Sequence, residues 1–140
     1  MSGVLVDSSV VLDVLGDDPA WYRWSEAALA RQMTRATLWI NAVIYAEVSI
    51  GFERIEEVEA ALARLGLLMR TIPREALFLA GKAYVQYRKR GGARPSPLPD
   101  FFIAAHAAVE GLTLLTRDPA RARTHFPSVR IISPDQPRRG

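Results

Sequence analysis

Short, apolar segments alternate with helical patterns along the whole of this 140-residue chain. The strand candidates are residues 4–6, 37–40, 112–116 and 129–132, and they are apolar runs rather than two-faced, alternating ones. Strands of this kind are typical of a parallel sheet whose two faces are covered by helices. We therefore predict an α/β fold, a three-layer α/β/α sandwich with a central parallel sheet of four or five strands.

Helical patterns fill the segments between these strands. Asp18 and Pro19 suit the N-cap and the first position of a helix that continues through Leu29, and Asn41 suits the N-cap of the next. Gly66 is a predicted helix end. The other predicted helices are residues 8–15, 53–65, 73–90 and 99–110 and a short one that ends near His125, with a loop rich in Gly and Pro at 91–97.

The bulk composition narrows the class of protein. A chain of this length suits one domain, which we predict over residues 1–133, with a flexible C-terminal tail at 134–140. The absence of cysteine excludes disulfides, thiolate metal sites and a cysteine nucleophile. A net charge of +3 is compatible with nucleic-acid binding without requiring it. No signal peptide or membrane span is recognisable, so a cytoplasmic protein is predicted.

Four carboxylates occupy positions where a parallel sheet binds ligands, at the carboxyl ends of its strands. Asp7 closes the first strand, and Asp118 follows Thr116 at the end of the third strand candidate. Glu47 lies on an apolar face of the helix that leaves the second strand, where a charge needs a partner. Asp100 lies near the start of an apolar helix, whose dipole favours an ionised carboxylate.

Taken singly, each acid also has a structural interpretation. Asp7 and Asp118 suit helix caps or turns, Asp100 suits a helix N-terminus, and Glu47 suits an ion pair with an arginine. Four carboxylates at one sheet edge would repel one another, and a hard divalent cation such as Mg²⁺ or Mn²⁺ would neutralise them. His106 and His125 are interpreted as structural residues, and neither a phosphate-binding glycine loop nor a nucleophile elbow is present.

At these residues the sequence resembles the PIN-domain family, and within it the VapC-like toxins. The resemblance rests on four segments in order, residues 4–12, 41–51, 99–107 and 114–118, followed by Phe126-Pro127 and the last strand candidate. It implies that Asp7, Glu47, Asp100 and Asp118 are the catalytic, metal-binding acids. It also suggests supporting or substrate-binding roles for Ser9, Asn41, Thr116 and Arg117, although Arg117 also suits a solvent-facing position.

The resemblance further implies an endoribonuclease that depends on Mg²⁺ or Mn²⁺ and leaves a 5′ phosphate and a 3′ hydroxyl. Such a protein acts as the toxin of a toxin–antitoxin pair, forms a homodimer and binds an antitoxin, here through a groove formed by the helices at 20–33 and 53–66. Basic residues near the acids are candidates for RNA contacts: Arg88, Lys89, Arg90, Arg94, Arg117, Arg121 and Arg123.

Three other functions remain open at this point. A PIN-fold binding module without activity would act only through dimer and partner contacts. A structure-specific DNA nuclease would use the same acids on a different substrate. A receiver-like or phosphatase-like enzyme with an aspartyl phosphate would need a lysine after a late strand, whereas Lys82 and Lys89 lie within a predicted helix.

Overall fold

The computed structural model describes residues 3–91 and 98–134 of the chain. Arg94 and residues 135–140 of the predicted tail lie outside these ranges, as does most of the predicted loop at 91–97. None of the helices in the described ranges has the length and apolar character needed to cross a membrane. The elements, in chain order, are β1 (Val4–Val6), α1 (Ser8–Leu15), α2 (Tyr22–Met33), β2 (Leu38–Ile40), α3 (Ala42–Ser49), α4 (Ile55–Arg64), β3 (Leu67–Met69), α5 (Arg74–Lys89), α6 (Leu98–Glu110), β4 (Thr113–Leu115), α7 (Ala120–His125) and β5 (Ile131–Ile132).

The five strands form one sheet in the order β3-β2-β1-β4-β5, and every pair is parallel. The predicted α/β/α fold with a parallel sheet is therefore confirmed. The chain runs from β1 outward to β2 and β3 and then returns to the other side of β1 with β4. This reversal opens a crevice between β1 and β4 at the carboxyl ends of the strands, where such sheets bind their ligands.

Apolar packing fixes the central strands. Every residue of β1 and β4 is buried, and Leu5, Val6 and Leu115 have no exposed surface. A second cluster joins α5 to α6, where Ala76, Ala80 and Ala83 let the helices approach closely around Phe101. The strands that end beside the crevice are thus the most firmly buried ones, which fixes the position of the side chains that follow them.

The edge strands were predicted less well. β3 was missed, because Leu67-Leu68-Met69 is a three-residue run without β-branched residues and directly follows Gly66. The predicted helix end at Gly66 is confirmed, since this residue adopts a φ of +73°. At the other edge, β5 covers only Ile131–Ile132, rather than the four residues predicted.

The prediction that Asp18 caps a helix beginning at Pro19 was wrong. Helix α2 begins at Tyr22, and the residue before it is Trp21. The Asp18 carboxylate instead accepts hydrogen bonds from the backbone N–H groups of Ala20 and Trp21, at 2.8 and 2.9 Å. These bonds stabilise a turn that delays the helix by three residues.

Asn41 is the N-cap of α3, as predicted, and it also joins α3 to α6. Its Oδ1 accepts a hydrogen bond from the Ile44 N–H at 3.0 Å, while its Nδ2 lies 3.0 Å from Nδ1 of the buried His106. The other ring nitrogen of His106 lies 2.9 Å from the Glu110 carboxylate, which also accepts a bond from Arg70 at 2.6 Å. Burial is the main reason why the pKa of His106 is lowered.

Candidate metal and active site

Asp7 and Asp118 flank the crevice between β1 and β4. The Asp7 N–H donates to the carbonyl of Leu115, at the end of β4, over 2.9 Å. The Thr116 hydroxyl donates to Oδ2 of Asp7 at 2.7 Å and accepts from the Asp118 N–H at 3.0 Å. Thr116 therefore holds the two acid-bearing segments together, which gives a physical basis for the supporting role predicted for it.

The Asp7 carboxylate is largely removed from solvent. Burial raises its pKa, while hydrogen bonds from Thr116 and Ser9 act in the opposite direction, and the charge of Asp118 raises it further. The Ser9 hydroxyl lies 3.1 Å from Oδ2 of Asp7. Although Asp7 is the residue before α1, its side chain makes no capping hydrogen bond. The structural interpretation of Asp7 as a cap therefore does not account for this carboxylate.

Glu47 approaches the same edge from α3. Its Oε1 accepts a hydrogen bond from the Ser8 hydroxyl at 2.7 Å. Burial raises the pKa of Glu47, and the charge of Asp7 raises it further. Ser8 was missed as a supporting residue, although its position next to Asp7 was a signal that could have identified it.

Asp100, in the first turn of α6, is influenced by all three other acids. Although the Asp100 side chain is 56% exposed, its pKa is raised to about 6, first by partial burial of the carboxyl group and then by the charge of Asp7, with Glu47 and Asp118 adding smaller contributions. Arg121 acts in the opposite direction, and its Nε lies 3.7 Å from Oδ2 of Asp100. The negative charges of Asp7, Glu47 and Asp118 thus all act on Asp100.

A groove of about 410 Å³ opens over these residues, and Asp7, Asp100, Asp118 and Arg121 line it together with Ser8 and Ser9. Glu47 lies beside the groove and reaches it through Ser8. Within residues 3–91 and 98–134, no three acid or imidazole side chains are placed to hold one ion directly. The carboxylate and hydroxyl oxygens of this groove fit a hard divalent cation, which prefers oxygen ligands.

Two predicted supporting residues lie away from the groove. Asn41 is fully buried in the hydrogen bonds that join α3 to α6. The Arg117 guanidinium binds both carboxylate oxygens of Asp13, at 3.0 and 3.1 Å, and lies 5.2 Å from the centre of the Trp21 ring. Only the backbone N–H of Arg117 faces the site, where it donates to Ser9 at 3.3 Å.

Asp13 is a buried carboxylate that sequence reasoning missed. It is 2% exposed, and it accepts a hydrogen bond from Ser25 at 2.7 Å in addition to those from Arg117. These bonds tie α1 to α2 and to the segment that follows β4. The signal was its spacing, since Asp13 lies three residues after the buried Val10 and therefore on the same helix face.

The fold and the site together define a doubly wound α/β protein with an acidic groove between β1 and β4, where the strand order reverses. The PIN domain matches residues 4–127, and the chain belongs to the PIN-domain family. No curated protein matches the sequence.

Similar solved structures share the fold at low sequence identity. VapBC2 from Rickettsia felis, bound to a DNA fragment from its promoter, matches with a TM-score of 0.68 at 19% identity, over 94% of this chain and 98% of the other. VapBC-1 from nontypeable Haemophilus influenzae matches with a TM-score of 0.68 at 17% identity, over 93% and 96%. VapC20 of Mycobacterium tuberculosis, a toxin that cleaves the sarcin–ricin loop, matches with a TM-score of 0.62 at 15% identity, over 91% and 99%.

The position of Arg117 predicts a structural effect of its removal. We expect Arg117→Gln to lower the free energy of unfolding by about 3 kcal/mol, because it leaves the buried Asp13 carboxylate without its cation. Urea denaturation measures this change. The control is Arg123→Gln, which removes an exposed arginine from α7 and should change stability by less than about 0.5 kcal/mol. Equal stability of the two variants would contradict the assignment.

The raised pKa of Asp100 predicts a specific titration in metal-free buffer. Its carboxyl carbon, followed by NMR, should titrate at about 6 rather than at the ordinary 3.8, and Asp7→Asn should lower this value by removing a like charge. The folded protein then binds this proton more tightly than the unfolded chain does. The contribution of Asp100 to stability is therefore full below pH 3.8 and is lost as the pH rises through about 6. Titration near 3.8 would contradict the raised pKa of Asp100, whereas an unchanged value in Asp7→Asn would show that Asp7 does not contribute to it.

Proposed function

We propose that this protein is a cytoplasmic endoribonuclease that depends on Mg²⁺ or Mn²⁺ and acts as the toxin of a toxin–antitoxin pair. The observation that carries the proposal is the placement of Asp7, Asp100 and Asp118 in the lining of one groove, with Glu47 joined to that groove through Ser8. Carboxylates that lie close together repel one another unless a cation neutralises them. A function that requires a bound cation explains why the acids are placed together here.

In this proposal, Asp7, Glu47, Asp100 and Asp118 hold the hydrated cation. When bound, a divalent ion lowers the pKa of a coordinated water and stabilises negative charge on a phosphoryl group. Ser9 and Thr116 orient the Asp7 carboxylate through their hydroxyl groups, and Ser8 orients Glu47 in the same way. These hydroxyls leave the remaining carboxylate oxygens available to the cation and its water shell.

A phosphodiester substrate needs positive charge beside an acidic groove. Arg121 supplies this positive charge. Its side chain lines the groove and lies between Asp100 and the aromatic rings of Tyr87 in α5 and Phe101 in α6. RNA as the substrate is inferred from the family and from the likeness to VapC20, a toxin that cleaves the sarcin–ricin loop. Arg117 is not part of this surface, since its guanidinium is engaged by Asp13.

An antitoxin partner and a homodimer belong to the same proposal. The similar VapBC structures contain toxin and antitoxin chains together, and this chain has apolar side chains exposed for such contacts. Met33 at the end of α2 and Ile55 at the start of α4 are 48% and 63% exposed, on the two helices expected to form the antitoxin groove. Met69 and Phe78, also exposed, are available to a second copy of the chain.

Two alternatives are separable by experiment. A binding module without activity would show no Mn²⁺ uptake in a calorimetric titration, whereas the proposed enzyme binds the ion. A structure-specific DNA nuclease would cut flap DNA in preference to single-stranded RNA, whereas the proposed enzyme prefers RNA.

The decisive variant is Asp7→Asn. We expect it to abolish cleavage of single-stranded RNA in Mn²⁺ buffer while leaving the fold intact, because it removes one charge from the cation site and retains an oxygen for Thr116. Gel analysis of the RNA products and circular dichroism check the two halves of this expectation. The matched control is Asp17→Asn, which neutralises an exposed acid in the turn after α1 and should retain activity. Full activity of Asp7→Asn would defeat the assignment.

A further inference from the structure

A second cavity lies beside the acidic groove, between the C-terminal end of α5 and helix α7. It measures about 290 Å³ and is lined by Tyr87, Arg90, Arg121, Thr124 and His125, together with Gly91 and Ala120. Arg121 and Ala120 line both this cavity and the groove, so the two spaces adjoin. None of the four acids lines this cavity.

Aromatic and positively charged side chains line this cavity. The Arg121 guanidinium lies 4.7 Å from the centre of the Tyr87 ring, and the His125 ring meets Tyr87 edge to face at 6.3 Å. The pKa of His125 is lowered, first by burial and then by the positive charges of Arg90 and Arg121. No carboxylate lines the cavity among the residues that the structure describes.

Arg121 has unused hydrogen-bonding capacity at this boundary. Its Nε is buried and has no hydrogen-bond partner within residues 3–91 and 98–134, because Asp100 lies 3.7 Å away. A buried donor without a partner is costly and is normally satisfied by a ligand, an ion or a water. The side chain is therefore placed to contact a ligand that spans the groove and the cavity.

We propose that this cavity is a nucleotide subsite, which holds one base of single-stranded RNA next to the phosphodiester that lies over the acids. The inference rests on the proposed function and specifies how the same site binds its substrate. Single-stranded RNA is bound through bases stacked on aromatic rings and on arginine planes, with cations at the phosphates. Tyr87, His125 and Arg121 supply the planes, and Arg90 supplies an exposed cation at the rim.

The test measures RNA binding by fluorescence anisotropy with the full chain carrying Asp7→Asn, which prevents cleavage. One probe is a labelled single-stranded RNA of mixed sequence, and the other is an abasic ribose-phosphate chain of the same length. Tyr87→Leu should weaken binding to the RNA by roughly tenfold and affect binding to the abasic chain much less, because it removes the ring available for stacking while the charges of Arg90 and Arg121 remain. Tyr87→Phe keeps the ring and should bind both probes as the parent does.

Arg90→Gln tests the phosphate contact separately. It should weaken binding to both probes and reduce the slope of log affinity against log salt concentration by about 0.7. The matched control is Arg74→Gln, which removes an exposed arginine at the other end of the same helix that does not line the cavity, and it should leave the slope unchanged. Both Arg90 and Arg74 are exposed, so neither substitution is expected to disturb folding.

The outcomes separate this inference from the proposed function. If the chain with Asp7 intact cleaves RNA and the Tyr87→Leu and Arg90→Gln variants bind like their controls, the subsite is wrong and the nuclease assignment stands. If the chain with Asp7 intact neither binds nor cleaves RNA, both are wrong. If Tyr87→Leu retains RNA binding but loses the antitoxin, the cavity belongs to the protein partner and the subsite is overturned.

Discussion

Repulsion among four carboxylates is the constraint on which this site depends. Burial and the charge of Asp118 raise the pKa of Asp7, burial and the charge of Asp7 raise the pKa of Glu47, and the pKa of Asp100 is raised to about 6 with contributions from all three other acids. Hydroxyl donors offset part of this cost, since Ser9 and Thr116 donate to Asp7 and Ser8 donates to Glu47. In the proposed function, a hydrated cation would offset the remainder, and this would explain why several carboxylates are placed at one edge of the sheet.

The sheet order explains how distant segments reach that edge. Because the chain reverses direction between β1 and β4, the residues after these strands lie on either side of one crevice. Helices α3 and α6 add their acids from above the same edge. The buried hydrogen bond between Asn41 and His106 joins these two helices and contributes to how they are placed relative to each other.

Much of this arrangement could be predicted from the sequence because it depends on strong, local patterns. The buried strands β1, β2 and β4 are apolar runs, and the acids stand directly after strands or on apolar helix faces. The short edge strand β3 could not be predicted, because its pairing with β2 depends on tertiary contacts rather than on its own residues. The delayed start of α2 could not be predicted for a different reason, since an aspartate at this position suits a turn and a helix cap equally well.

Charged pairs were harder to predict than strands. The Asp13–Arg117 pair joins residues that are 104 positions apart, and nothing local in the sequence marks them as partners. The same difficulty applies to Arg121, whose position between the acids and the rings of Tyr87 and Phe101 is set by the packing of α7 against α6. Which arginines face the substrate therefore emerges only from the fold.

The most direct measurement is anomalous diffraction from crystals of this protein soaked with Mn²⁺. The account predicts an anomalous peak within coordination distance of the carboxylates of Asp7 and of at least one of Glu47, Asp100 and Asp118. It also predicts that waters complete the coordination shell. A fully loaded crystal with no peak at this edge of the sheet, or with peaks only elsewhere on the molecule, would contradict it.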